Sequence, residues 1–142
     1  MERFPELAMK AKKLIHCLRE WSADHPDITG VFLVGSHARC EAEPESDIDI
    51  VMLTKNPGEY LNDLKWIKCF GDVESVGRED WGKVQSLRVF YSDGPEVEFG
   101  ITTSDWAAHP IPETTLNVLR EGYRIIYDPV GDLVEAVENH LD

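Results

Sequence analysis

The chain has 142 residues, 42% hydrophobic and 29% charged, with 27 acids against 14 bases and a formal net charge of −13. That length suits one domain, residues 1–142, with a core that needs neither disulfides nor metals to fold, and the charge repels long nucleic acid and anionic membranes, favouring a small molecule or a protein as partner. No apolar run approaches the roughly 20 residues of a membrane span, no signal-peptide pattern opens the chain, and Cys17, Cys40 and Cys69 are spaced as free thiols, not as a zinc site, so a cytoplasmic location is expected.

In chain order, Pro5 to Trp21 reads as an amphipathic helix, with Leu7, Ala11, Leu14, Ile15, Leu18 and Trp21 at helical spacing. Ser22 to Thr29 is a loop and Gly30 to Val34 a buried strand. Gly35-Ser36 ends that strand, and His37 to Cys40 forms a helical turn or two with His37 exposed. Glu41 to Ser46, acidic and containing Pro44, leads to a second strand at Asp47 to Thr54. Asn56-Pro57-Gly58 is a turn, and Glu59 to Phe70 a helix stopped by Gly71. Val73 to Val76 is expected as a short strand and Gly77 to Gly82 as a loop. Val84 to Tyr91 and Glu96 to Thr102 are strands joined through Ser92-Asp93-Gly94-Pro95. A short helix follows Ser104 or Asp105, and Pro110 and Pro112 break the chain. Glu113 to Glu121 is a helix, Tyr123 to Tyr127 a strand and Gly131 to Leu141 a closing helix. This irregular alternation with one hairpin implies an α/β (α+β) fold: a mixed β-sheet flanked by helices.

The chemistry concentrates in Gly35 to Ile50. Residues i and i+2 of a strand share a face, so Asp47 and Asp49 project together while Ile48 and Ile50 turn inward. Two adjacent carboxylates repel unless a cation or proton lies between them, and carboxylate oxygens suit a hard ion such as Mg²⁺. If Gly35-Ser36 opens a helix, its N–H groups face an anion. An anion cradle beside a divalent-cation site is what a nucleoside triphosphate with its metal requires. A third acid is needed from a neighbouring strand. Glu98, between Val97 and Phe99, is the candidate, and Glu96 is ranked as the solvated one. Arg88, on the preceding strand, is either within reach of the site or part of a structural ion pair. Trp66, Trp81 and Trp106 are assigned to the core or an interface.

Gly35-Ser36, Ala38-Arg39 and Asp47-Ile48-Asp49, at this spacing and each abutting an apolar strand, resemble the polymerase β-like nucleotidyltransferase superfamily, which includes the antibiotic adenylyltransferases. Cys40 stands where the usual Gly-Ser-x-Ala-Arg-Gly pattern has its last glycine. The resemblance implies transfer of a nucleoside monophosphate, with ATP favoured as donor, to a hydroxyl of a small molecule or a protein. It implies two Mg²⁺ ions, with Mn²⁺ as the alternative, held by Asp47, Asp49 and Glu98. Gly35 and Ser36 would hold the β/γ-phosphates and Arg39 neutralise them, unless Arg39 pairs with the acids of Glu41 to Glu45. It also implies an alternative: an antitoxin module that binds or adenylylates a small helical toxin protein. The acceptor site would be built from the tail after Thr102, a second copy or another protein.

Overall fold

In the computed structural model the described residues are 9–43, 46–92, 94, 96–108, 111–131, 133–135 and 137. The first helix, α1 (Met9–Ala23), buries Ala11, Leu14, Ile15 and Leu18 along one stripe. The expected start at Pro5 lies outside the described residues. The β-branched runs form β1 (Ile28–Val34) and β2 (Ile48–Thr54), each buried at six of seven positions, as befits strands covered on both faces. Between them lies α2 (Gly35–Ala38), a single turn.

Two expectations need correcting. The helix expected over Glu59 to Phe70 is two pieces: α3 (Pro57–Asn62) and a 3₁₀ segment (Leu64–Phe70). Asp63 separates them with extended backbone, and its side chain accepts the Lys65 N–H, capping the second piece; local bonding of this kind competes with a continuous helix. The stretch read as a short strand plus loop is one strand, β3 (Val73–Trp81). It pairs antiparallel with β4 (Val84–Tyr91) through a two-residue turn at Gly82-Lys83, Gly82 having φ +79. Nearly all of β3 is exposed on both faces, so it lacks the alternation that marks a half-buried strand.

The remaining elements are β5 (Glu96–Thr102), a 3₁₀ turn at Ser104–Ala107, α4 (Glu113–Arg120) and β6 (Tyr123–Tyr127). Of the expected closing helix, Gly131 is a bend, residues 133–135 and 137 are helical, and the rest, like Pro44, Glu45, Asp93, Pro95 and Pro110, lies outside the described residues. The six strands run β3-β4-β5-β2-β1-β6 in one mixed sheet, in which β2 and β5 are parallel and the other neighbours antiparallel. One face packs Leu33, Ile50, Met52, Leu87 and Phe99 against α1 and the 3₁₀ segment with Trp66 and Ile67. The other packs Phe32, Val34, Val51 and Leu53 against Leu116, Leu119, Leu133 and Val137. No helix among the described residues is long and apolar enough to cross a membrane.

Candidate active site

Two neighbouring strands bring the three acids together, and a third brings an arginine beside them. Asp47 directly precedes β2, and Asp49 lies within it on the same face. Parallel pairing sets Asp49 beside Glu98 of β5, and antiparallel pairing sets Glu98 beside Arg88 of β4. On the other flank Val34, the last residue of β1, pairs with Asp49, so the chain turns at Gly35 against that carboxylate. Gly35 has φ +78, and a Cβ there would lie 2.4 Å from Asp49 Oδ2. The glycine is therefore required twice: for the left-handed backbone and for the space the carboxylate occupies.

Asp47, Asp49 and Glu98 each offer a carboxylate oxygen within 4.8 Å of the others, and all three side chains are half-buried. Burial pushes the Asp49 carboxyl up to about 7, helped by the charges of Asp47 and Glu98 and a hydrogen bond with Asp47, and opposed by Arg88. The cluster thus carries more negative charge than its one guanidinium offsets. An all-oxygen donor set short of positive charge fits a hard divalent cation.

Arg88 reaches across the site. Its Nη2 donates to Glu98 Oε1 at 3.2 Å, its Nε to Glu79 Oε1 at 2.8 Å and its Nη1 to Glu96, and Nη1 stands 3.9 Å from Asp47 Oδ2. Burial works against its charge, but Glu79, Glu96 and Glu98 outweigh that and raise its pKa above the ordinary arginine value. Glu96 is accordingly an ion-pair partner of Arg88, not a free solvated acid. The sequence leaves Arg88 either within reach of the site or in a structural ion pair; the strand order that sets it beside Glu98 makes it both.

The turn residues divide differently from expectation. His37 is not exposed: it is 5% accessible, and its Nε2 lies 3.2 Å from the Ser46 carbonyl oxygen, tying the turn to the residue before Asp47. Ser36 is half-buried next to Gly35. Arg39 donates from Nε to Glu41 at 2.9 Å and from Nη1 to the Glu121 carbonyl at 3.3 Å. These contacts join the turn to the end of α4, and no described contact links Arg39 to the three acids.

Cys40 has φ +58, and it alone among the described non-glycine residues has positive φ. That conformation explains why glycine is the usual residue there. Cys40→Gly is expected to stabilise the protein by up to about 1 kcal/mol, less the contact from Arg124 Nη2 to the sulfur at 3.2 Å. Paired thermal melts under reducing conditions measure it, and a lower midpoint in the variant contradicts the strain argument.

The family model described as "Nucleotidyltransferase domain" matches residues 12–85, just over half of the chain. That span holds Gly35, Ser36, Asp47 and Asp49 but stops short of Glu98, whose place rests on the geometry above. No curated protein matches the chain in sequence. Among solved structures, an aminoglycoside 6-adenyltransferase from Bacillus subtilis is similar at 12% identity and a TM-score of 0.54, over 71% of this chain and 37% of that one. Terminal uridylyl transferase 4 from Trypanosoma brucei, with bound UPU, is similar at 15% identity and a TM-score of 0.40, over 73% of this chain and 37% of that one. A CCA-adding enzyme aligns at 17% identity and 0.44, over 93% and 32%. The first of these likenesses concerns the fold alone, and the chain spans about a third of the length of these structures.

Proposed function

The chain belongs to the nucleotidyltransferase domain family, and from that premise we propose that it transfers a nucleoside monophosphate, AMP from ATP, to a hydroxyl acceptor with Mg²⁺. The observation that carries this reading is the convergence of three carboxylates beside a glycine turn with no side chain to block approach. Asp47 and Asp49 are the residues that would hold a divalent ion, and Glu98 completes the acceptor side. Bound there, the ion supplies positive charge to the attacking oxygen and to the leaving phosphates.

The chain's own residues do the rest by positioning and charge. Gly35 lets the triphosphate approach the backbone, and the Ser36 hydroxyl donates to a β/γ-phosphate oxygen. Arg39 reaches a phosphate only by leaving Glu41 and the Glu121 carbonyl. The acceptor oxygen bonds to the α-phosphorus, the bond from the α-phosphorus to the bridging oxygen breaks, and pyrophosphate leaves. Glu98 takes the acceptor's proton.

The test is incubation of the purified protein with α-phosphate-labelled ATP, Mg²⁺ and host lysate, followed by separation of small molecules from protein. Label on a small molecule identifies a small acceptor, and label on a protein band identifies a protein hydroxyl. Glu98→Gln is expected to lower the rate by about 10²-fold, the scale for removing one group that stabilises transition-state charge. Glu96→Gln, whose side chain among the described residues bonds Arg88 and not the other acids, should lower it less than about tenfold. Equal losses would remove the distinction between the two acids. No label with any of the four triphosphates would overturn the reading.

A further inference from the structure

Among the three converging acids, positive charge is unevenly placed. The Arg88 guanidinium hydrogen-bonds Glu98 at 3.2 Å and lies 3.9 Å from Asp47, while the carboxylate of Asp49 faces the Gly35 turn. Two further acids hold the same guanidinium, Glu79 at Nε and Glu96 at the same Nη1 that lies near Asp47. Glu79 comes from β3 and Glu96 from β5, so the arginine on β4 is gripped by both neighbouring strands as well as by the site.

A guanidinium is permanently charged and presents a fixed fork of donors, which lets one side chain satisfy several carboxylates at once. It is also a cation where a second divalent ion would bind. Like charges a few ångströms apart repel by an amount that water screens poorly where the groups are half-buried.

We propose that Arg88 is a positioning residue that occupies the cation position between Asp47 and Glu98, so that the protein loads one divalent ion at Asp47 and Asp49 by itself and a second only against the charge of Arg88. This rests on the nucleotidyltransferase reading of the three acids. Glu79 and Glu96 give the guanidinium partners to keep when a second ion draws Glu98 away. The acceptor-side ion is then bound weakly until a negatively charged triphosphate adds its own attraction. Glu98 stays oriented in the meantime, because Arg88 holds it.

Titration of the intact protein with Mn²⁺, counting free ions by electron paramagnetic resonance without nucleotide, reads this directly. The wild type is expected to bind one ion tightly and a second at least about tenfold more weakly. Arg88→Gln removes the charge and keeps a polar side chain, and its second site should tighten by about tenfold or more. Arg88→Lys keeps the charge and should leave the second ion weak. Mn²⁺ should also raise the melting midpoint of Arg88→Gln more than that of the wild type, because the ion replaces the lost guanidinium. Tighter binding is not an effect that mere damage to the fold produces. Unchanged or weaker second-site binding in Arg88→Gln overturns the proposal, as does a variant that stays unfolded at saturating Mn²⁺. Absence of any Mn²⁺ binding by the wild type, with Asp49→Asn indistinguishable from it, instead defeats the underlying assignment of the three acids.

Discussion

Asp49→Asn is expected to lose transfer activity by at least about 10³-fold and yet, in metal-free buffer at pH 8, to melt about 5 °C above the wild type. The activity loss follows from removing the carboxylate at the centre of the acid cluster, between Asp47, Glu98 and the Gly35 turn. The gain in stability follows from linkage. Burial and the charges of Asp47 and Glu98 push the Asp49 carboxyl up to about 7 in the folded chain, whereas an unfolded aspartate ionises near pH 4. Between those values the folded state holds a proton that the unfolded state has released. Wild-type stability therefore falls as pH rises from about 4 to about 7 and is level above that window. Asparagine has no such proton to lose, so the two melts should nearly coincide at pH 4 and separate by pH 8. Allowing for solvent screening at a half-buried group, the difference is about 2 kcal/mol. Millimolar Mg²⁺ should reverse the order, because only the wild type binds it well. Differential scanning calorimetry of both proteins at pH 4 and 8, with and without Mg²⁺, measures the four differences in midpoint. A variant less stable than the wild type at pH 8 without metal would sink the electrostatic account of the site.

This trade of stability for a charged site also shows which features sequence alone could reveal. The paired acids announced themselves because Ile48 and Ile50 alternate with them, and a period of two fixes which side chains share a face. Glu98 was legible for the same reason, as a charge between Val97 and Phe99. Arg88 was not placed, because its role depends on β4 lying beside β5, a long-range pairing that no local pattern encodes. His37 reads as exposed because it stands at the variable position of the Gly-Ser-x-Ala-Arg pattern, but its ring is buried and lies against Ser46 across the loop that leads to Asp47. Only the first four residues of β3 read as strand, because both its faces meet solvent and its polar continuation lacks hydrophobic alternation. What the sequence carries well is therefore local alternation against a buried face; what it hides is partnership across strands.

Gly35→Ala provides the sharpest separation of site geometry from fold stability. The substitution imposes two penalties. Alanine at φ +78 is strained by about 1–2 kcal/mol, only partly offset by the lower entropy of its unfolded chain. Its Cβ would also lie 2.4 Å from Asp49 Oδ2 and 3.3 Å from Asp49 Cγ. The backbone of Asp49 is held by strand pairing on both sides, to Val34 and to Glu98, so the carboxylate must rotate away. That movement takes it out of the cluster with Asp47 and Glu98. The expected result is a loss of about 2 kcal/mol in stability together with a fall in kcat of at least about 10³-fold. Gly122→Ala is the matched control. Gly122 has φ +126, and its added Cβ meets the flexible Arg39 side chain, with Cγ at 2.6 Å, rather than a site carboxylate. It should lose comparable stability while retaining transfer within about tenfold. Urea unfolding and initial rates on both variants decide the matter. If Gly122→Ala loses as much activity as Gly35→Ala at equal stability, the turn matters only to the fold. If the losses diverge, the bare backbone at Gly35 is part of the catalytic geometry.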